Sequence, residues 1–140
     1  MAAKRTLSRL LRLRELEEEL SRLELERAVA ERSHAQKQVE LAADRQTQGR
    51  YNFAAGVAEQ NRLGRTAGLL EAEQARQEKL RLQPRVEAAD FEVARLQAEF
   101  QSRRTGRRQV ETLVANERSK AEVETDRRAQ QMLDDWYGRR

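Results

Sequence analysis

The chain is 140 residues long, 37% charged, 38% hydrophobic and only 4% aromatic, which leaves room for one small domain and excludes a thick globular core. Its 28 basic and 24 acidic residues leave a formal charge of +4 and are interleaved, as on a solvated helix surface. There is no isoleucine, one proline and six glycines, and the apolar residues are mostly Leu and Ala, so the composition predicts an all-α chain of long helices and excludes a β-sheet.

The first helix is predicted from about Thr6, a candidate N-cap, to about residue 52. Leu7, Leu10, Leu13, Leu16, Leu20 and Leu23 recur at spacings of three and four and read as its apolar face. The stripe skips near Leu25 and resumes at Val29, Val39 and Ala43, a change of register without a breaker residue. Gly49, Gly56, Gly64 and Gly68 cluster next, and each costs a helix interior about 1 kcal/mol. The chain is therefore expected to reverse at a tip over about residues 53–58, with Gly56 the favoured turn residue and Gly49 the alternative.

The second helix is expected over about residues 59–137. Leu82, Val86, Ala89, Val93, Leu96 and Phe100 form a 3,4 repeat, the mark of a coiled-coil seam. Pro84 lies inside it and predicts a kink, or else a break. The fold class read from these elements is an antiparallel coiled-coil hairpin with a longer second helix. A turn at Gly56 sets Leu16 opposite Leu96, Leu13 near Phe100, Leu20 near Val93, Leu23 near Ala89, Val29 near Leu82 and Leu41 near Leu70. Beyond residue 108 the second helix should then run unpaired for roughly 45 Å at 1.5 Å per residue, carrying Val110, Leu113, Val114, Val123, Met132, Leu133 and Trp136. Exposed apolar residues on a lone helix imply a partner.

Chemistry-bearing motifs are few. With no cysteine there are no disulfides, thiol nucleophiles or thiolate-held metals, and the single His34 reads as a surface residue. No Gly-rich phosphate loop is found, so no catalytic, cofactor-binding or metal-ligating residue is expected and the chain reads as non-enzymatic. No apolar run reaches the roughly 18 residues that cross a bilayer, and the basic start is followed by acids, which predicts a cytoplasmic protein. Arg9, Arg12 and Arg14 with Arg103, Arg104, Arg107 and Arg108 could contact phosphates, but neighbouring Glu15, Glu17, Glu18 and Glu19 would repel a nucleic acid. Salt-bridged surface or protein docking is the simpler reading. Tyr51 and Phe53 at the tip either close it or contact a partner, and Trp136 and Tyr137 at the far end either contact a partner or fray with the terminus. The early Leu stripe with Arg5, Arg9 and Arg12 also fits a membrane-surface helix, though a coiled-coil seam is simpler.

The opening LSRLLRLRELEEEL, the tip-like AAGVAEQNRL and the closing RRTGRRQVETLVANERSKAEVETDRRAQQMLDDWYGRR resemble the FliJ family, helical-hairpin stalk proteins of the bacterial flagellar export ATPase. The resemblance spans nearly the whole chain. It implies an antiparallel coiled coil whose paired ends insert into a hexameric ring of export ATPase, whose middle contacts the cytoplasmic domain of the transmembrane export gate, and which handles export chaperones. It further implies a monomer without cofactors, held at the inner membrane only through its partners. Carried onto this chain, the closing pattern marks Arg127, Arg128, Gln131, Leu133, Asp134 and Asp135, with Trp136, as ATPase-facing, and Arg9, Arg12 and Leu13 as lying nearby. The string QVELAADRQ is similar to a gate-contacting segment and marks Gln38, Leu41 and Asp44, to which the tip aromatics Tyr51 and Phe53 are added. Arg45 and Gly49 stand where some relatives carry aromatics, and the family pattern does not account for Pro84.

Overall fold

The computed structural model describes residues 2–139, and it consists of two helices, α1 (Ala2–Ala58) and α2 (Arg62–Gly138), of 57 and 77 residues, packed antiparallel. No strand occurs among the described residues. The chain divides into two compact units, one spanning Leu23–Ala98 and holding the turn, the other holding the described residues before and after it.

Helix α1 starts before Thr6, which is not a cap: its hydroxyl donates to the Ala2 carbonyl oxygen at 2.9 Å, inside the helix. The reversal lies at Glu59, Gln60 and Asn61, not at residues 53–58. Asn61 N–H donates to the Gly56 carbonyl and Gln60 N–H to the Val57 carbonyl, at 2.8 and 3.3 Å, with Gln60 in the left-handed region at φ 53°. This is the double-bonded helix ending that commonly takes glycine. Asn61 then caps α2, its side-chain oxygen accepting from Gly64 N–H at 3.1 Å. Gly56 remains helical. Its role, shared with Gly49 and Gly68, is close approach: a methyl on Gly49 would lie 2.5 Å from Ala72 N, one on Gly56 2.5 Å from Arg65 N, and one on Gly68 would collide with the Phe53 backbone.

The unit Leu23–Ala98 is therefore packed backbone to backbone near its turn and side chain to side chain farther on. Val93 and Leu96 are buried with Ala28, and Leu25 packs beside them. Leu82 and Ala75 are buried as well. The register is marked by Arg45 donating to Glu78 at 2.7 Å and by Arg32 approaching Asp90 at 3.9 Å. Val93 thus lies against Ala28, not Leu20, a register set by the turn at Gln60. The seam expected on α2 is observed, with Leu82, Val93 and Leu96 buried and Val86, Ala89 and Phe100 half-buried. Helix α2 continues through Pro84 without ending, the proline being exposed.

The seam expected on α1 holds at Leu7 and Leu10, which are half-buried, and fails from Leu13 to Leu23. Leu13, Leu16, Leu20 and Leu23 are all exposed, Leu16 at 56% and Leu20 at 62%. The residues turned inward are Ser21, Ala28, Ala42, Gly49 and Gly56, with Ala35 half-buried, a small residue every seven positions. Small side chains let two helix axes approach at the short end of the range, and a facing row of leucines would force them apart.

In the other unit the seam turns polar. Arg103 donates to Glu17 at 3.1 Å, Glu17 also accepts from Arg14, and Arg107 bonds both Glu18 and Glu111. Ser21 Oγ and Arg14 Nε are buried without a hydrogen-bond partner. Pairing does not stop at residue 108, because Val110 is buried, Leu7 and Leu113 line one depression, and Lys4 shares another with Arg118 and Glu122. From residue 121 onward every described residue is exposed, so the unpaired end of α2 is shorter than a turn at Gly56 would require.

Candidate functional site

The far end of α2 carries most of the residues expected to face an ATPase, and all of them are accessible. Arg127, Arg128 and Gln131 line one open groove with Val123 and Glu124. That grouping follows from helical spacing, since residues three and four apart are neighbours on the surface. Arg128 donates to Glu124 at 2.8 Å, and Asp134 accepts from Gln130 at 3.1 Å. Leu133 and Trp136 are half-exposed or more, and Trp136 meets Tyr137 edge to face, with ring centroids 5.2 Å apart. Asp135 is exposed, its carbonyl accepting from Arg139 N–H. On α1 in the same unit, Arg9, Arg12 and Leu13 are exposed.

The residues expected to face an export gate all fall in the unit Leu23–Ala98. Leu41, Asp44 and Tyr51 are exposed, and Phe53 is only partly covered, its backbone lying against Gly68. Gln38 is half-buried and shares a hydrogen bond with His34 Nε2 at 3.2 Å, which gives His34 a structural neighbour on its own helix. Leu41 stands one residue before Ala42, which is fully buried, so this stretch presents Leu41 outward while Ala42 meets the opposing helix.

The electrostatics are those of paired helix surfaces. Hydrogen bonds from Arg76 and Gln77 push the Glu73 carboxyl down to about 2, and hydrogen bonds from Arg22 and Arg95 lower Glu19 and Glu92 in the same way. In each case the arginine stands three residues from its carboxylate on an exposed helix face, where solvent screens the attraction. No group of three or more His, Asp or Glu able to hold a metal ion occurs among the described residues. No described helix is long and apolar enough to cross a membrane.

Sequence reasoning overlooked the outward face of α1 at Leu13, Leu16 and Leu20, because apolar periodicity marks a face without saying which way it points. The competing signal was present: small residues at every seventh position from Ser21 to Gly56.

Fold and surface together define the class: a two-helix antiparallel coiled coil with accessible apolar and arginine-bearing surfaces. Comparison with protein-family models, curated proteins and solved structures returns no match.

Proposed function

We propose that the chain is a non-enzymatic stalk of a bacterial flagellar export apparatus, seated in a hexameric export ATPase at one end and coupling it to the cytoplasmic domain of the export gate. The observation that carries this reading is the bare end of α2. Leu133, Trp136 and Tyr137 are exposed near the end of α2, past the depression that Lys4 of α1 shares with Glu122 and Asp126, and apolar surface of this kind is stabilised by a partner. The FliJ-like closing pattern covers that same end. On this reading the protein acts as a monomer in the cytoplasm, reaches the inner membrane through its partners and receives export chaperones.

The test mixes the purified chain with the export ATPase and measures ATP turnover and hexamer formation. Stimulation that falls severalfold with Trp136→Ala or Arg128→Glu is expected, and an ATPase indifferent to the wild-type chain would remove the reading.

A secretion chaperone is the second reading, favoured by the same exposed helix end, which could lie in a groove of an exported partner. Truncation after Asp126 would then abolish capture of that partner while leaving the paired helices intact. A nucleic-acid role draws less support, because Arg103 and Arg107 are engaged by Glu17 and Glu18. Retention on DNA or RNA that weakens steeply with salt would revive it.

A further inference from the structure

Around its turn the chain changes character. Between Gln46 and Leu70 the charged residues are Arg50, Glu59, Arg62 and Arg65, in a chain that is 37% charged throughout. Over the same stretch Tyr51, Val57, Leu63, Leu69 and Leu70 are exposed, and Leu63, at 83%, is the most exposed large apolar side chain of the described residues. Val57 lies in the last turn of α1 and Leu63 in the first turn of α2, on either side of the reversal at Gln60. None of Arg50, Arg62 and Arg65 has a carboxylate partner among the described residues, whereas Arg45, Arg76, Arg81 and Arg95 in the same unit do.

We propose that this apex docks on an anionic lipid bilayer, with Val57, Leu63 and Tyr51 at the boundary between headgroups and acyl chains and Arg50, Arg62 and Arg65 paired with lipid phosphates. Apolar residues beside unpaired cations are the chemistry of interfacial anchoring, and each cation near an anionic surface adds to the attraction. Tyrosine suits the headgroup level because its ring is apolar and its hydroxyl stays wet. Arginine stems lie along apolar surface while the guanidinium reaches phosphate.

The direction of the side chains favours a bilayer over a folded protein. Leu63 and Leu70 share a face of α2, but Tyr51 and Val57 are six residues apart on α1, as are Leu63 and Leu69 on α2, so within each of these two pairs the side chains leave on different faces. A groove for a helix takes one stripe at spacings of three and four. A deformable surface accepts side chains that diverge around an apex. This contact is direct, and so goes beyond the stalk reading, in which the membrane is reached only through other proteins.

The experiment is co-sedimentation of the full chain with phosphatidylcholine vesicles, with and without phosphatidylglycerol. Retention about tenfold greater on the anionic vesicles is expected, falling as salt is raised. Arg62→Glu with Arg65→Glu, and separately Val57→Ser with Leu63→Ser, should each lose that gain at unchanged helical circular dichroism. In a Trp136→Phe background, Leu63→Trp should shift its emission to the blue on anionic vesicles. The proposal is overturned if the wild type is not retained, or if retention survives both tip variants and is removed instead by Arg9→Glu with Arg12→Glu. It is equally overturned if the tip variants lose binding to the gate domain while the wild type ignores vesicles, since the apex would then be a protein surface. None of these outcomes depends on ATPase stimulation, so the stalk reading stands or falls separately.

Discussion

An alanine at Gly106 meets no atom within 4 Å, whereas one at Gly68 would drive its methyl group into the backbone of Asn52 and Phe53. The two positions share a helix and differ only in what faces them, so one substitution should have opposite signs. Gly106→Ala is expected to stabilise the protein by up to about 1 kcal/mol, the helix-propensity gain alone. Gly68→Ala is expected to destabilise it by about 1–2 kcal/mol, overpacking outweighing that gain. Urea unfolding of the two variants reads both signs. Gln60 is the complementary case, a side chain in a left-handed conformation at a helix end that favours glycine. Gln60→Gly should raise the unfolding free energy by several tenths of a kcal/mol to about 1, and an unchanged or lowered urea midpoint would show that Gln60 carries no such strain.

Each helix has one apolar stripe that sequence periodicity detects, and the two behave differently. On α2 the stripe is the seam, and Leu96, only 5% exposed, packs with Val93 and Ala28. On α1 the leucine stripe from Leu13 to Leu23 points away from α2. Leu96→Ala should therefore cost about 2–4 kcal/mol, while Leu16→Ala should change stability by no more than about 0.5 kcal/mol. Equal losses at the two sites would mean that Leu16 is buried after all. Where both seams are polar, the helices are joined by charge. Arg107 and Glu18 are both mostly covered and bonded to each other. Arg107→Glu alone should destabilise by about 1–3 kcal/mol, because it sets a third carboxylate beside those of Glu18 and Glu111. Adding Glu18→Arg should recover much of that loss, as a double-mutant cycle would show.

Over the whole molecule, carboxylates held by arginines predict how stability responds to acid. Glu73 sits at about 2 in the folded protein and returns to its ordinary value of 4.5 when the chain unfolds. The unfolded chain then binds the proton first, so the contribution is complete above 4.5 and is lost as the pH falls toward 2. Glu19 and Glu92 act in the same direction. Thermal melting followed by circular dichroism should be insensitive to pH on the alkaline side of that window and decline within it. Glu73→Gln should make the decline shallower. A melting temperature that rose with acid would contradict these pairings.

Much of this was legible in the residues themselves. The absence of isoleucine, the Leu and Ala content and the scarcity of breakers dictated two long helices. The glycine cluster announced a reversal in its vicinity, and the repeat from Leu82 to Phe100 marked the buried face of α2 correctly. The exposed end at Leu133 and Trp136 could also be read, although its starting point could not. What only the tertiary structure decided was which face of α1 turns inward. Burial energy favours the leucines, but Ser21, Ala28, Ala42, Gly49 and Gly56 allow the backbones to approach, and the cap formed by Gln60 and Asn61 sets a register that brings those small residues to α2. Close approach along the small-residue face leaves no room for leucines there. Hydrophobic periodicity measures the tendency of a single helix to be covered. The distance between two helices is a property of the pair, and it emerges only when both are in place.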